Sequence, residues 1–456
     1  MGLRAGVGLR AGVGLRAGTP DQATVSVELV DGRSVVTFTV GPQHRLEPLS
    51  STTSDSLTVA CELALQKRHP LVAWISSSGP NANEGISAAH SWGRAAAALV
   101  GCSGTVPTIL VLDGPAVAGT ALLLGIADHV IMVDDSYAFV SGPRMVEEFT
   151  GVPIAHDDLG GVATHAARSG VATAVAADHD EARDLVVDLL SYLPAHNDEL
   201  APRNLAAEPG EAARPELGAI VPDSPTGSYD VREVIVGICD EGTTLEVRSD
   251  WAPSIVTAFA RIAGRSIGIV ANQPQALAGT LNIEASQKGA RFVAFCDAFS
   301  LPILTLVDTP GFQPGKDLEW RGMIRHGAEL AFAYARATVP RVSLTLRKSY
   351  GGAYIVMDSK YMGNDMAYAW PTAEIAVMGA KGAVEILHRR AGESERAERQ
   401  REYEERLLNP YRAAERGSVD TIIEPSQSRR HIAAALDLLE TKAESHVDRI
   451  HDNTPL

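Results

Sequence analysis

Residues 266–382 read SIGIVANQPQALAGTLNIEASQKGARFVAFCDAFSLPILTLVDTPGFQPGKDLEWRGMIRHGAELAFAYARATVPRVSLTLRKSYGGAYIVMDSKYMGNDMAYAWPTAEIAVMGAKG. Short runs rich in Val, Ile and Leu alternate here with longer amphipathic runs: Ser266–Ala271, Glu284–Ala298, Ile303–Val307, Arg321–Ala337 and Arg341–Leu346. That order predicts strand, helix, strand, helix, strand, the pattern of an α/β domain. Glycine clusters follow two of the strands, Thr309-Pro310-Gly311-Phe312 and Tyr350-Gly351-Gly352-Ala353-Tyr354. Glycine at such a place lets the backbone turn sharply and approach a ligand with no Cβ in the way. A helix starting there leaves its first N–H groups unpaired, and they can hold a developing negative charge. An oxyanion site needs this arrangement.

The same layout occurs upstream. Gly119 lies 12 residues after Pro107, and Gly352 lies 12 after Pro340. Gly79 precedes Pro107 by 28 residues, and Gly311 precedes Pro340 by 29. One offset of about 233 residues therefore aligns strand, glycine turn, helix, strand and glycine turn in both halves, which reads as two similar domains built from one unit. In the first half, strands are expected at Ser34–Val40, Leu71–Ile75, Thr108–Leu112, His129–Val133 and Ala138–Val140. Helices are expected at Leu57–Gln66, Ile86–Val100 and Glu181–Tyr192. Residues 193–228, dominated by Pro, Glu, Asn and Gly, read as a linker between domains at 21–192 and 229–456. The tail 1–20 carries the unit GLRAG three times and reads as disordered. Gly392–Leu408 and Arg429–Lys442 read as late helices, the first a solvated one with i,i+4 charge pairs.

A net charge of −16 over 456 residues argues against nucleic acid or an anionic membrane as the main partner. The cysteines Cys61, Cys102, Cys239 and Cys296 stand far apart. They form neither a zinc ribbon nor a disulfide framework, and read as buried thiols in a reducing compartment, the cytoplasm. No apolar run reaches the ~18–20 residues of a bilayer span. No dinucleotide fingerprint follows a strand and no phosphate-binding P-loop is present. Ser349 lies outside any G-x-S-x-G elbow. His165, in Gly-Gly-Val-Ala-Thr-His, reads as structural. What remains is backbone chemistry: two strand–glycine–helix turns, each able to present N–H groups to an oxyanion. Two such turns suit a reaction that joins two enolate-like partners; the plainer alternative is that the glycines only allow close packing.

Asp250-Trp251-Ala252-Pro253, LVDTPGFQPG, ATVPRVSLTLRKSYGGAY, AWPTAEIAVMGAKGA and NPYRAAERGSVDTII carry a specific likeness in the second half. LVAWISSSGPNANEG, DDLGGVATHAARSG and LLSYLPAHNDELAPR carry a looser one in the first. With these stretches the chain resembles the carboxyltransferase (β) subunit of biotin-dependent acyl-CoA carboxylases of the acetyl-/propionyl-CoA type. The resemblance implies an α/β fold of two tandem crotonase-like domains, each a ββα spiral. It also implies a homo-hexameric ring in which one subunit's first domain faces another's second.

Acyl-CoA would lie on the first domain's side, and carboxybiotin, carried on a separate chain, would enter from the second's. In that chemistry carboxybiotin releases CO2, the biotin ureido anion takes the α-proton of the acyl thioester, and the enolate attacks CO2. By position, the N–H groups of Gly352 and Ala353 would hold the biotin oxyanion, and those near Ala118 and Gly119 the thioester enolate. Substrate contacts are expected from Gly79, Asn81 and Thr120, and from Gly311, Phe312, Gly351, Tyr354 and Ile355. No metal ligand set is expected. The chain has neither a biotin attachment site nor an ATP-grasp pattern, so a partner α chain would supply the biotin carboxylase and the carrier.

Three departures from the family pattern fall in the first half. Its turn carries Ala118 where the family has glycine. Asn81 stands in place of an arginine, which removes a fixed cation from the region that meets CoA. The preceding segment, usually Gly-rich, is VGPQHRLEPLSSTTSDS. These departures keep two alternatives open: a decarboxylase or tailoring carboxylase acting on an unusual acyl thioester, and a non-catalytic subunit that assembles with an intact relative.

Overall fold

The structure is a computed structural model that describes residues 23–40, 48–206, 209–222, 224, 226–442, 444 and 453–455. The expected tail, 1–20, lies outside the described residues. The chain divides into two compact units between Leu200 and Ala201. That boundary falls inside the Pro-rich stretch 193–228, and Leu217 beyond it is fully buried in the second unit's core.

The first unit opens with a hairpin. Strand Ala23–Val30 (β1) returns antiparallel as Arg33–Val40 (β2). The turn, Asp31-Gly32, has positive φ at both residues, 48° and 78°, as the twist of paired strands favours in two-residue hairpins. Leu71–Ser77 (β3), Thr108–Val117 (β4), His129–Val133 (β5), Tyr137–Phe139 (β6) and Ala174–Ala176 (β7) follow in parallel. The sheet order is β1-β2-β3-β4-β5-β7, with β6 on the end of β4. Helices Ser51–Lys67 and Ile86–Cys102 bury Leu57, Ala60, Cys61, Ala64, Ala95, Leu99 and Cys102 in the unit's core. Small residues dominate that face, so the helices can pack closely.

The second unit repeats the plan. Its strands are Leu245–Val247 (β8), Ile255–Ile262 (β9), Arg265–Asn272 (β10), Ile303–Thr309 (β11), Arg341–Tyr350 (β12), Met366–Ala369 (β13), Glu374–Ala376 (β14) and Thr421–Ile422 (β15). The order is β15-β13-β12-β11-β10-β9-β8, with β14 on the end of β12. The β9–β10 hairpin turns at Ala263-Gly264, again with positive φ at both residues, 51° and 76°.

The repetition reaches single hydrogen bonds. Leu49 N–H donates to Gly79 O and Leu281 N–H to Gly311 O. Asn81 N–H donates to Leu49 O and Gln313 N–H to Leu281 O. Ser50 caps the helix Ser51–Lys67, and Asn282 caps Ile283–Ala298. Thr108 N–H is held by the Asp128 carboxylate, and Arg341 N–H by that of Asp365. All four cysteines are buried thiols. Among the described residues no helix is long and apolar enough to cross a membrane.

Candidate active site

In each unit the glycine turns leave the C-terminal ends of two neighbouring parallel strands, β3 and β4 in the first and β11 and β12 in the second. Open α/β sheets bind ligands at such strand ends. Both pairs slip register there, between Ile75 and Ser77 and between Val307 and Thr309. A bulge of this kind bends the strand and re-aims the side chains beyond it. Past the bulge, a hydroxyl shapes each turn: Ser77 Oγ accepts from Gly79 N–H, and Thr309 Oγ1 from Gly311 N–H. Gly79 and Gly311 sit at φ 117° and 142°.

The second turn of each pair starts a helix without a side-chain cap, Gly119–Ile126 after β4 and Gly351–Val356 after β12. Gly351 takes φ 60°, and a Cβ on it would lie 3.0 Å from the Val377 carbonyl oxygen. Gly351, Gly352 and Ala353 fill the first helical positions, so their N–H groups have no acceptor within the helix. Gly352 is exposed and Ala353 buried. A Cβ on Gly352 would meet the Phe312 ring at 3.4 Å. The structure thus brings Gly311–Phe312 and Gly351–Gly352 together.

In the first unit the expectation for Ala118 needs correcting. Its N–H donates to the Phe139 carbonyl at 2.9 Å, where β6 joins β4, and so is not available to an oxyanion. The N–H groups without an intrahelical acceptor are those of Gly119 and Thr120. Ala118 still makes the turn, at φ 57° and ψ −121°. Gly119 is required by packing as well, because a Cβ there would lie 2.8 Å from Trp92 Nε1. Thr120 is buried and its hydroxyl has no hydrogen-bond partner.

Two other expected contacts are placed differently. Asn81 caps the short turn Ala82–Glu84, accepting from Asn83 N–H and donating to Glu84 at 3.2 Å. Its amide therefore serves the loop itself. The Tyr354 hydroxyl is buried, and Tyr354 lines a small cavity with Ser349 and Ser359. Ile355, the next residue, is 40% exposed and free to line a pocket. His165 is pinned, with Nε2 2.7 Å from Ala138 O and Nδ1 2.7 Å from Ser169 Oγ.

Spacing did not reveal the buried polar frame of the second unit. The Asp308 carboxylate accepts from Tyr229 Oη, Arg347 Nε and Lys348 N–H at 2.8, 3.1 and 3.0 Å. Arg347 also donates to the carbonyls of Ser224 and Gly227. These bonds fix the bulge of β11 to the end of β12; burial and the Asp308 charge push the Tyr229 phenol far up. Arg341 pairs with Asp358 at 2.9 Å and donates to Tyr334 O. Asp358 lies two residues past the helix Gly351–Val356, so the pair ties that helix to the start of β12. Burial raises the Asp358 carboxyl against the opposing pull of Arg341. A carboxylate inside an apolar strand, as in LVDT, was the available signal for Asp308.

Comparison with known proteins adds four findings. A family model described as the carboxyl transferase domain matches residues 27–454. The propionyl-CoA carboxylase beta chain of Saccharopolyspora erythraea is 45% identical over 446 residues, covering 94% of this chain and 82% of its own. The methylmalonyl-CoA carboxyltransferase 12S subunit of Propionibacterium freudenreichii subsp. shermanii is 42% identical over 412 residues, covering 89% and 78%. Among solved structures, the transcarboxylase 12S hexamer with methylmalonyl-coenzyme A and methylmalonic acid bound superposes with a TM-score of 0.93. It is 40% identical, and the match covers 95% of this chain and 85% of that one. The α/β units described above are crotonase-like, as in that structure.

Proposed function

Because the chain belongs to the carboxyl transferase domain family, and is a biotin-dependent acyl-CoA carboxyltransferase, we propose that the helix-starting glycine turn of each unit holds one reacting partner. The N–H groups of Gly352 and Ala353 hold the ureido oxygen of biotin as it gains negative charge. Those of Gly119 and Thr120 hold the thioester oxygen of the acyl-CoA as its enolate forms. One observation carries this reading: both units start an uncapped helix at the end of the strand next to a bulge.

Carboxybiotin, when bound, supplies the carboxyl group and, once that has left, a base for the α-proton. The residues present fit it: Gly352 is exposed without a Cβ, and the Phe312 ring flanks the turn. The chain's own part is electrostatic. Fixed N–H dipoles favour the charge-separated state and need no reorganisation during the reaction. No side-chain base is needed.

The biotin is carried by a partner chain that also bears the biotin carboxylase, and the acyl group is acetyl or propionyl. The chain assembles as a hexamer, a reading supported by its likeness to the transcarboxylase 12S core. With the partner chain, ATP and [14C]bicarbonate, Gly352→Val is expected to lower carboxyl transfer about 10²–10³-fold with little loss of folding. Transfer at the wild-type rate would remove Gly352 from the assignment.

A further inference from the structure

Beside the helix Gly351–Val356 lies a small cavity of about 10 Å³, lined by Ser349, Tyr354, Ser359 and Ser418 among others. That is about the space one water molecule needs. Three of its hydroxyls, Ser349 Oγ, Tyr354 Oη and Ser359 Oγ, are buried without a hydrogen-bond partner. The Ser418 hydroxyl lies beside the Tyr354 phenol and draws it down, against the larger effect of burial. Burial raises the phenol, so Tyr354 stays a neutral donor.

These hydroxyls come from the three segments that define the turn. Ser349 is on the end of β12, Tyr354 on the helix itself, and Ser359 just past it. A six-residue helix has little stability of its own. Asp358 ties its far end to Arg341, while its near end has no side-chain cap. Unmet buried hydroxyls are costly, and three around one small cavity share a single remedy.

We propose that one water molecule occupies this cavity, bonded to all three hydroxyls, and that Ser349, Tyr354 and Ser359 are positioning residues. Through that water they hold the Gly351–Val356 helix in the orientation that aims the Gly352 and Ala353 N–H groups. The second part rests on the carboxyl-transfer reading above; the water itself does not.

The test compares Tyr354→Phe, Ser349→Ala and the double variant in the full chain with its partner chain. If the water is present, each single variant strands a bond, and Tm falls. The double variant loses much less than the two losses together, because both residues act through one molecule. Turnover falls about tenfold while KM for acyl-CoA stays the same, since the helix is mis-aimed and the acyl-CoA turn is untouched. A high-resolution structure shows one solvent peak within bonding distance of all three oxygens. Unchanged or raised Tm in the single variants overturns the proposal, because deleting a truly unmet hydroxyl relieves strain. Absence of the solvent peak overturns it equally. Lower Tm with unchanged turnover overturns the positioning role. Should Gly352→Val keep full activity, the N–H assignment fails, yet the Tm and density results still decide the water.

Discussion

At the residue scale, Ala118 shows a side chain paying for a turn that suits glycine. Its φ of 57° with ψ −121° lies outside the conformations an L-residue prefers. Ala118→Gly should therefore stabilise the chain by about 1–2 kcal/mol, seen as a Tm rise of several degrees. It should leave carboxyl transfer intact, because the N–H at this position already donates to Phe139. A fall in Tm would mean that the methyl packs usefully enough to outweigh the strain. Ile355 poses the opposite question. Being 40% exposed, it is not a core residue, so Ile355→Asp should fold and change the ratio of rates on acetyl-CoA and propionyl-CoA. Apolar pockets separate such chains by only about 10–200-fold, so both should react in the wild type. A folded variant with an unmoved ratio would exclude Ile355 from the acyl pocket. That Tyr354 turns inward while Ile355 turns outward was not legible in Gly-Gly-Ala-Tyr-Ile, because no periodic pattern develops over six helical residues.

At the element scale, most of the parallel strands and crossover helices were readable, since they alternate strongly in period and length. The hairpin partners β1 and β9 were not identified. β1 is half exposed and β9 buried throughout, so neither shows a contrast against a neighbour. The capture of the Ala118 N–H was equally hidden: a strand was expected around its acceptor, Phe139, but nothing in the sequence pairs so short a strand with the end of β4. Lys288 is a further case. Its ammonium donates at 2.8 Å to the carbonyls of Arg248, Trp251 and Ile255, fastening that loop to the helix Ile283–Ala298. Arg248 and Ala252 in the loop have positive φ, 53° and 48°. Burial pulls Lys288 down to about 7, with Glu246 and Asp250 opposing and Arg248 and Arg232 assisting. Unfolded lysine titrates near 10.4, roughly. Between these values the folded chain has released a proton that the unfolded chain still holds, so stability rises with pH. The Tm of wild type relative to Lys288→Met should increase from pH ~6 to ~9. A constant difference would show that the three carbonyls keep the ammonium charged.

At the scale of the whole molecule, the duplication was legible as a single offset between glycines, and it holds down to individual backbone bonds. What each copy leaves uncovered was not legible, because exposure depends on packing rather than on local pattern. In the first unit Phe149, on the helix Pro143–Thr150, is 92% exposed, with Met145 and Val152 exposed beside it in the sequence. In the second unit Ile324, on the helix Met323–Arg336, is 84% exposed, and Trp320 76%. Single exposed apolar residues are ordinary, but groups of large ones close together in the chain point to surfaces that another chain covers. Six copies in a closed ring would cover the same patches in every subunit. Phe149→Glu and Ile324→Glu are therefore expected to leave the single chain folded by circular dichroism and to break the assembly, since burying an unpaired carboxylate in an interface is costly. Light scattering after size exclusion should move from six chains towards smaller species for either variant. A hexamer that survives both substitutions would place the subunit contacts elsewhere, and a wild-type chain that runs as a monomer would overturn the assembly itself.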